Sequence, residues 1–208
     1  MNEWIDLSVR VKKNNLNFPD DPPLEIAKVK SLTEDGFNLH QLSINMHVGT
    51  HIDFKSHMSA KEETVEFEQF MGKANVIRPI IVNGVVSTDD LIEKYRNLTY
   101  QERIVLLDLK HADKFNTKAY YDYITFEPKI HSFLTENNIY LLGSDLPTFA
   151  YFKENDYRMH KELLKSGIYL LENLTNLTKL SSHIYLLALP LNIEGVDGSL
   201  VRAIAKNL

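Results

Sequence analysis

The segment His47-Val-Gly-Thr-His-Ile-Asp-Phe-Lys-Ser-His57 constrains this chain more than any other stretch. Three of the eight histidines fall inside it, together with one aspartate. His47, His51, Asp53 and His57 are all odd-numbered, and alternate side chains of a β-strand share a face. Read as one strand, Asn38 to Phe54 presents His47, Gly49, His51 and Asp53 on one side. Val48, Thr50, Ile52 and Phe54 then lie on the other, where they can enter a core. A helix would bring His47 and His51 together but turn Asp53 away from His51.

Two imidazoles and a carboxylate suit a borderline divalent cation, Zn²⁺ or Mn²⁺. Gly49 has no side chain, so backbone or ligand can approach closely there. A cation with an open position makes water a usable nucleophile near neutral pH. Lys55 and Ser56 break the strand before His57, which sets that imidazole apart as a proton carrier. A single histidine on a strand is most often structural or exposed. Two beside an aspartate are costly to bury without a compensating partner. Two rival readings remain: a metal-binding protein without turnover, and an α/β protein with a histidine-rich pocket and no metal. Metal content separates the second rival, and hydrolysis assays with and without chelator address the first.

The remaining sequence sets the frame. At 208 residues, with 44% apolar and 25% charged residues, the chain reads as one domain, 1–208. The absence of cysteine excludes disulfides, thiolate-held zinc and a cysteine nucleophile. A net charge of −5 argues against a nucleic-acid partner. The N-terminal MNEWIDLSVRVKKNN does not read as a signal peptide, and apolar runs such as Ile184 to Leu191 are too short to span a bilayer. A cytoplasmic location without membrane attachment is expected.

The front, to about residue 75, reads as strands and loops, with Phe18 to Pro23 (FPDDPP) extended by its prolines. Strands are expected at Asn75–Val82, Arg103–Leu109, Ile139–Gly143, Ile168–Leu171 and His183–Leu189. Helices are expected after the cap Ser87, from Pro128 to Asn138, and over Met159–Lys165 with Gly167 as terminator. The alternation is that of an α/β fold with an all-β front.

HVGTHIDFKSH resembles the His-x-Gly-Thr-His-x-Asp-x-Pro-x-His signature of the cyclase-like metal-dependent hydrolases, a family that includes bacterial kynurenine formamidase (an arylformamidase) and isatin hydrolase. Three further stretches resemble that family in order along the chain: Phe18 to Pro23, His160 to Leu164 with Ile168 to Leu174, and Gly195 to Ala203. The resemblance implies a swivelling β/β/α fold, a single domain with a central, barrel-like mixed sheet flanked by helices. It implies that His47, His51 and Asp53 hold one metal ion, Zn²⁺ or Mn²⁺. Asp53, His160 and Glu172 would hold a second, with Asp53 bridging, so one or two ions per subunit are expected. His57 would be the catalytic histidine, and Phe18 would stack on an aromatic substrate. The implied reaction is hydrolysis of a small aryl amide, with N-formylkynurenine of tryptophan catabolism as first choice. Another small amide, a cyclic amide or imide, or a lactone is the alternative. A homo-oligomer, dimer or tetramer, is also implied.

Departures from the family pattern are expected to fall mostly around the substrate, and none touches a proposed ligand. Lys55 and Leu200 replace prolines, Phe18 replaces a tryptophan and Asp20 a glycine. Asp108 to Asp113 lacks an Arg-Thr-Gly-Trp-like segment, and Asp145-Leu-Pro-Thr matches its counterpart only in part. Asp197, in Gly-Val-Asp-Gly-Ser, reads as a turn residue.

Overall fold

The computed structural model describes residues 3–15, 18–61, 63–151 and 157–208. Along the chain the first strands are β1 Ile5–Asp6, β2 Glu25–Lys30, β3 Leu39–Ser43, β4 His51–Asp53, β5 Met71–Ile77, β6 Ile81–Val82 and β7 Val85–Val86. They are followed by β8 Ile104–Leu107, β9 Thr125–Phe126, β10 Leu141–Ser144, β11 Tyr169–Glu172, β12 His183–Leu187, β13 Gly198–Leu200 and β14 Ile204–Asn207. The helices are α1 Leu32–Asp35, α2 Thr88–Arg96, α3 Ile130–Glu136 and α4 Arg158–Lys165. No helix among the described residues is long and apolar enough to cross a membrane.

Among the described residues, nine strands form the central sheet in the order β1-β14-β12-β5-β8-β10-β11-β4-β13. Its middle, β5-β8-β10-β11, is parallel, and both flanks are antiparallel. The sheet curls. The chain passes from β13 at one edge to β14 near the other through Val201, Arg202 and Ala203 alone, and so short a link spans only about 10 Å. Ser8, just past β1, bridges Leu174, just past β11, and the N–H of Val9 reaches Thr50 Oγ1 at 2.9 Å. The expected barrel-like mixed sheet is therefore present.

Alternation divides the core in two. Ile104 and Leu106 of β8, Tyr169 and Leu171 of β11 and Ile52 of β4 fill the inside of the curl. Val105, Leu107, Leu142 and Leu170 face outward, against Leu91 and Tyr95 of α2, Phe133 and Leu134 of α3, and Met159 and Leu163 of α4. The helices follow their sequence signals. Ser87 caps α2 by accepting the N–H of Asp90, and Gly167, at φ +82°, follows α4. Helix α3 begins at Ile130, two residues beyond Pro128.

Three expectations fail locally. Asn75–Val82 is not one strand: β5 ends at Ile77, and β6 belongs to a separate small sheet with β7 and β9. Asn38 to Phe54 is not one strand: β3 ends at Ser43 and β4 starts at His51, with a turn between them around Gly49 at φ +68°. A Cβ on Gly49 would lie 2.5 Å from Val11 Cγ2, so both dihedral and space demand glycine. Phe18 to Pro23 is not simply extended either. The N–H of Asp21 bonds Phe18 O at 3.1 Å, closing a turn with Asp20 at φ +70°. The glycine expected at position 20 would enter this conformation without the Cβ penalty.

Strands β2 and β3 form a separate ribbon, and every residue of β3 is exposed. Val29, Leu32, Phe37, Leu39 and Leu42, on the ribbon and its connection, are 46–62% exposed.

Candidate metal centre and pocket

The site lies on the helix-facing side of the sheet, at the carboxyl ends of β10 and β11, where open α/β sheets bind ligands. In β4, Ile52 points into the curl, so His51 and Asp53 point outward. In β11, Tyr169 and Leu171 point inward, so Glu172 shares the outward face. Antiparallel pairing sets Glu172 directly opposite His51. Helix α4 packs across this face and brings in His160. His51, Asp53, His160 and Glu172 are all at most 4% exposed.

Their donor atoms converge. His51 Nε2 lies 3.1 Å from Asp53 Oδ1 and 3.6 Å from Glu172 Oε2. His160 Nε2 lies 3.4 Å from Asp53 Oδ2 and 3.2 Å from Glu172 Oε1. The N–H of Phe149 donates to Glu172 Oε1 at 3.2 Å. His47 comes from the turn before β4 and donates from Nδ1 to Asp53 Oδ1 at 2.8 Å. All five expected ligands thus meet, but His47 arrives by a left-handed turn and not by strand alternation. The donor groupings also differ from the expected division. One unites His51, Asp53 and Glu172, and the other His47, Asp53 and His57.

The chemistry fits a cation. His51 Nδ1 is 2.9 Å from Gly49 O, which can only accept, so Nδ1 carries a proton and Nε2 is left facing the two carboxylates. Two buried carboxylates brought this close repel unless positive charge lies between them. Among the described residues no lysine or arginine pairs with Asp53 or Glu172. Imidazolium supplies the charge instead. Burial disfavours a charged His47 and His160, but hydrogen bonds from His47 to Asp197 and Asp53, and from His160 to Asp53 and Glu172, raise both to about 10. Asp53 opposes its own burial in the same way: His160, His47 and His51 hold it well below the usual carboxylate range. Two protons retained beside two carboxylates equal one divalent ion in charge.

His57 sits on a 3₁₀ turn, Lys55–Met58, and donates from Nδ1 to Asp197 Oδ2 at 3.1 Å. The same oxygen accepts from His47 Nε2 at 3.0 Å. Those hydrogen bonds, His47 first, keep the Asp197 carboxyl far below its ordinary range. Sequence reasoning treated Asp197 as a turn residue, and the missed signal is the glycine after it. Gly198 pairs with Asp53, and a Cβ there would lie 2.8 Å from Ile52 O and 3.2 Å from His47 Cε1. A glycine fixed by an imidazole marks a turn that belongs to the site.

Lys55 turns away from the cluster. Its ammonium lies 5.1 Å over the ring of Tyr169, on the opposite face of the sheet. Its N–H donates to Glu63 Oε2 at 2.9 Å, while Tyr169 Oη donates to Glu63 Oε1 at 2.7 Å. A proline at position 55 could not make the first bond.

Above the cluster opens a pocket of about 220 Å³, walled by Phe18, Phe115, Tyr120, Tyr121 and Tyr157, with His57 and His160 in its lining. Phe18 stands edge-on to Tyr121 at 5.7 Å. Tyr120 is locked by donating to Asn173 Oδ1 at 2.8 Å and lies near the Asp145 carbonyl at 3.1 Å. Burial raises its phenol far above the usual value. Asp145, the matching residue of Asp-Leu-Pro-Thr, instead accepts the N–H groups of Leu109, His111 and Ala112 and supports the loop after β8.

A family model described as putative cyclase matches residues 5–151. The kynurenine formamidase of Bacillus cereus is 29% identical over 208 residues, covering 98% of this chain and 97% of its own length. Among solved structures, a potential metal-dependent hydrolase with cyclase activity superposes with a TM-score of 0.80 at 20% identity, over 99% of this chain and 98% of its own. An isatin hydrolase bound to the product analogue thioisatinate gives 0.82 at 21% identity, over 98% and 92%. At these identities the two structures speak for the fold.

Proposed function

The chain belongs to the cyclase family, and from that premise we propose that it is a metal-dependent amide hydrolase acting on N-formylkynurenine, releasing kynurenine and formate. The observation that carries this reading is a buried set of carboxylates and imidazoles at the base of an aromatic-walled pocket.

In this proposal His47, His51 and Asp53 hold one divalent ion. Asp53, His160 and Glu172 hold a second, and Zn²⁺ and Mn²⁺ both suit the set. When bound, such a cation supplies a Lewis acid for the formyl oxygen and acidifies water. His57 takes a proton from the attacking water and returns it to the leaving aryl amine, which an imidazole can do near neutral pH. Phe18 and Tyr121 offer ring faces and edges to the aryl group.

The test is a metal-replete activity screen over N-formylkynurenine, other aryl formamides and isatin-like rings, with and without chelator. Chelator-sensitive formamide cleavage supports the proposal. Turnover of cyclic amides alone replaces the substrate and keeps the chemistry. Metal without turnover on any of them sinks the enzymatic reading. Metal content per chain in the same preparation distinguishes one ion from two.

The protein works, in this reading, as a cytoplasmic homo-oligomer without a nucleic-acid partner. A two-stranded ribbon is marginal alone in water, and the exposed apolar side chains of β2 and β3 suit cover by a second copy. Leu39→Lys with Leu42→Lys is expected to shift the sedimenting species toward monomer. An unchanged oligomer would assign the contact elsewhere.

A further inference from the structure

Asp197 joins two parts of the site that come from different turns. Its Oδ2 accepts from His47 Nε2 at 3.0 Å and from His57 Nδ1 at 3.1 Å, and the two rings lie 4.3 Å apart. His47 is engaged on its other side by Asp53 Oδ1 at 2.8 Å. A continuous path therefore runs Asp53–His47–Asp197–His57. The backbone beneath it is tied down: the N–H of Phe54 donates to Asp197 O at 3.0 Å, and Ser56 Oγ donates to Val196 O at 3.1 Å. These bonds couple the turn bearing Asp197 to the turn bearing His57 at both ends.

We propose that Asp197 is a positioning residue that sets the His57 tautomer for proton transfer and, through His47, steadies the metal site. This rests on the functional reading above. A carboxylate only accepts, so His57 donates from Nδ1 and keeps its Nε2 lone pair for a proton from water. The other tautomer would carry its proton on Nε2 and could not act as base there. The bond to His47 is the second arm. Asp197 holds the ring by Nε2, while Nδ1 faces the Asp53 carboxylate where the ion is proposed to sit. Carboxylates that orient a ligating imidazole in this way commonly change affinity or rate by about 10–100-fold when removed.

A double-mutant cycle tests both arms: wild type, Asp197→Ala, His57→Ala and the double variant. Each is measured for N-formylkynurenine hydrolysis and for Zn²⁺ affinity by competition with a chromophoric chelator. Asp197→Ala is expected to lower kcat about 10–100-fold with KM within about threefold. In the His57→Ala background the same substitution is expected to change kcat by less than about twofold, because its partner is already gone. Zn²⁺ affinity should fall about tenfold in both backgrounds, since His47 is present in both. Asp197→Asn keeps an accepting oxygen and is expected to fall between wild type and Asp197→Ala. It also carries the cycle if the alanine variant does not fold. Equal losses of kcat in both backgrounds would overturn action through His57. Unchanged kcat and Zn²⁺ affinity would return Asp197 to a plain turn residue. A wild type inactive on every amide would instead defeat the functional reading, while the Zn²⁺ measurements would still test the His47 arm.

Discussion

The two halves of the site are built by different means. His51, Asp53 and Glu172 ride on adjacent strands, fixed by backbone register and at most 3% exposed. His47, His57 and Asp197 ride on turns, have side-chain exposures of 19%, 26% and 48%, and are held mainly by hydrogen bonds to one another. The strand half has the rigidity of the core around it, suited to a fixed charge. In the turn half, His47 and His57 line the pocket and are partly exposed, which gives the room that moving a proton requires. Stability and turnover are thus expected to respond differently to substitutions in the two halves.

The largest effect is expected in the strand half. Asp53→Ala removes the carboxylate common to all the converging imidazoles, so metal content and turnover should be lost together, as read by elemental analysis and formamide hydrolysis. Retained metal in that variant would erase the contrast. In the turn half, His57→Ala should lower kcat by about 10²–10⁴-fold while metal content stays at the wild-type level. Loss of metal there would make His57 a ligand, in line with its place in one of the two donor groupings. Gly198→Ala sharpens the comparison from the seam between the halves. The added methyl meets Ile52 O and the His47 ring, and should cost about 1–3 kcal/mol in denaturant unfolding while weakening Zn²⁺ binding.

A smaller effect comes from pH on metal-stripped protein. His47 and His160 are raised from 6.5 to about 10. Their protonated forms therefore add stability fully below about pH 6.5, and this contribution disappears as pH rises through about 10. Chelator-treated protein should melt at progressively lower temperature from pH 7 to 10. The Zn²⁺-loaded form should hold its melting temperature, because the ion replaces those protons. Parallel curves would mean that the imidazoles are not charged in the stripped state. The smallest effect lies outside both halves: Asp20→Gly relieves the left-handed backbone and should raise stability by at most about 1 kcal/mol, with kcat within about twofold.

The sequence made the strand half legible because strand periodicity is a local signal. His51 and Asp53 share a face as their spacing requires, and Ile52 fills the core between them. The β8, β10, β11 and β12 segments and the Ser87 cap were likewise written in nearby residues. The turn half was not legible in that way. His47 carries the expected parity but reaches the cluster through the bend at Gly49, so the strand reading that placed it there describes a different local conformation. Asp197 lies 140 positions from His57, and no periodic signal spans that distance. Strand β3 lies inside the expected Asn38–Phe54 strand, but β2 escaped because none of its residues is buried to impose alternation. His160 and Glu172 were reached through family resemblance, and their meeting depends on α4 packing against the turn that bears His57.

The Lys55 amide proton has a consequence for which substitutions this corner of the fold tolerates. Glu63 is stationed to receive it and also receives the Tyr169 hydroxyl. A proline at position 55 would strip one of those two donors from the glutamate and the aromatic ring of its overlying ammonium. Positions 55, 63 and 169 are therefore one mechanical unit on the far side of the sheet from the proposed ions, where a change at the first is felt by the other two.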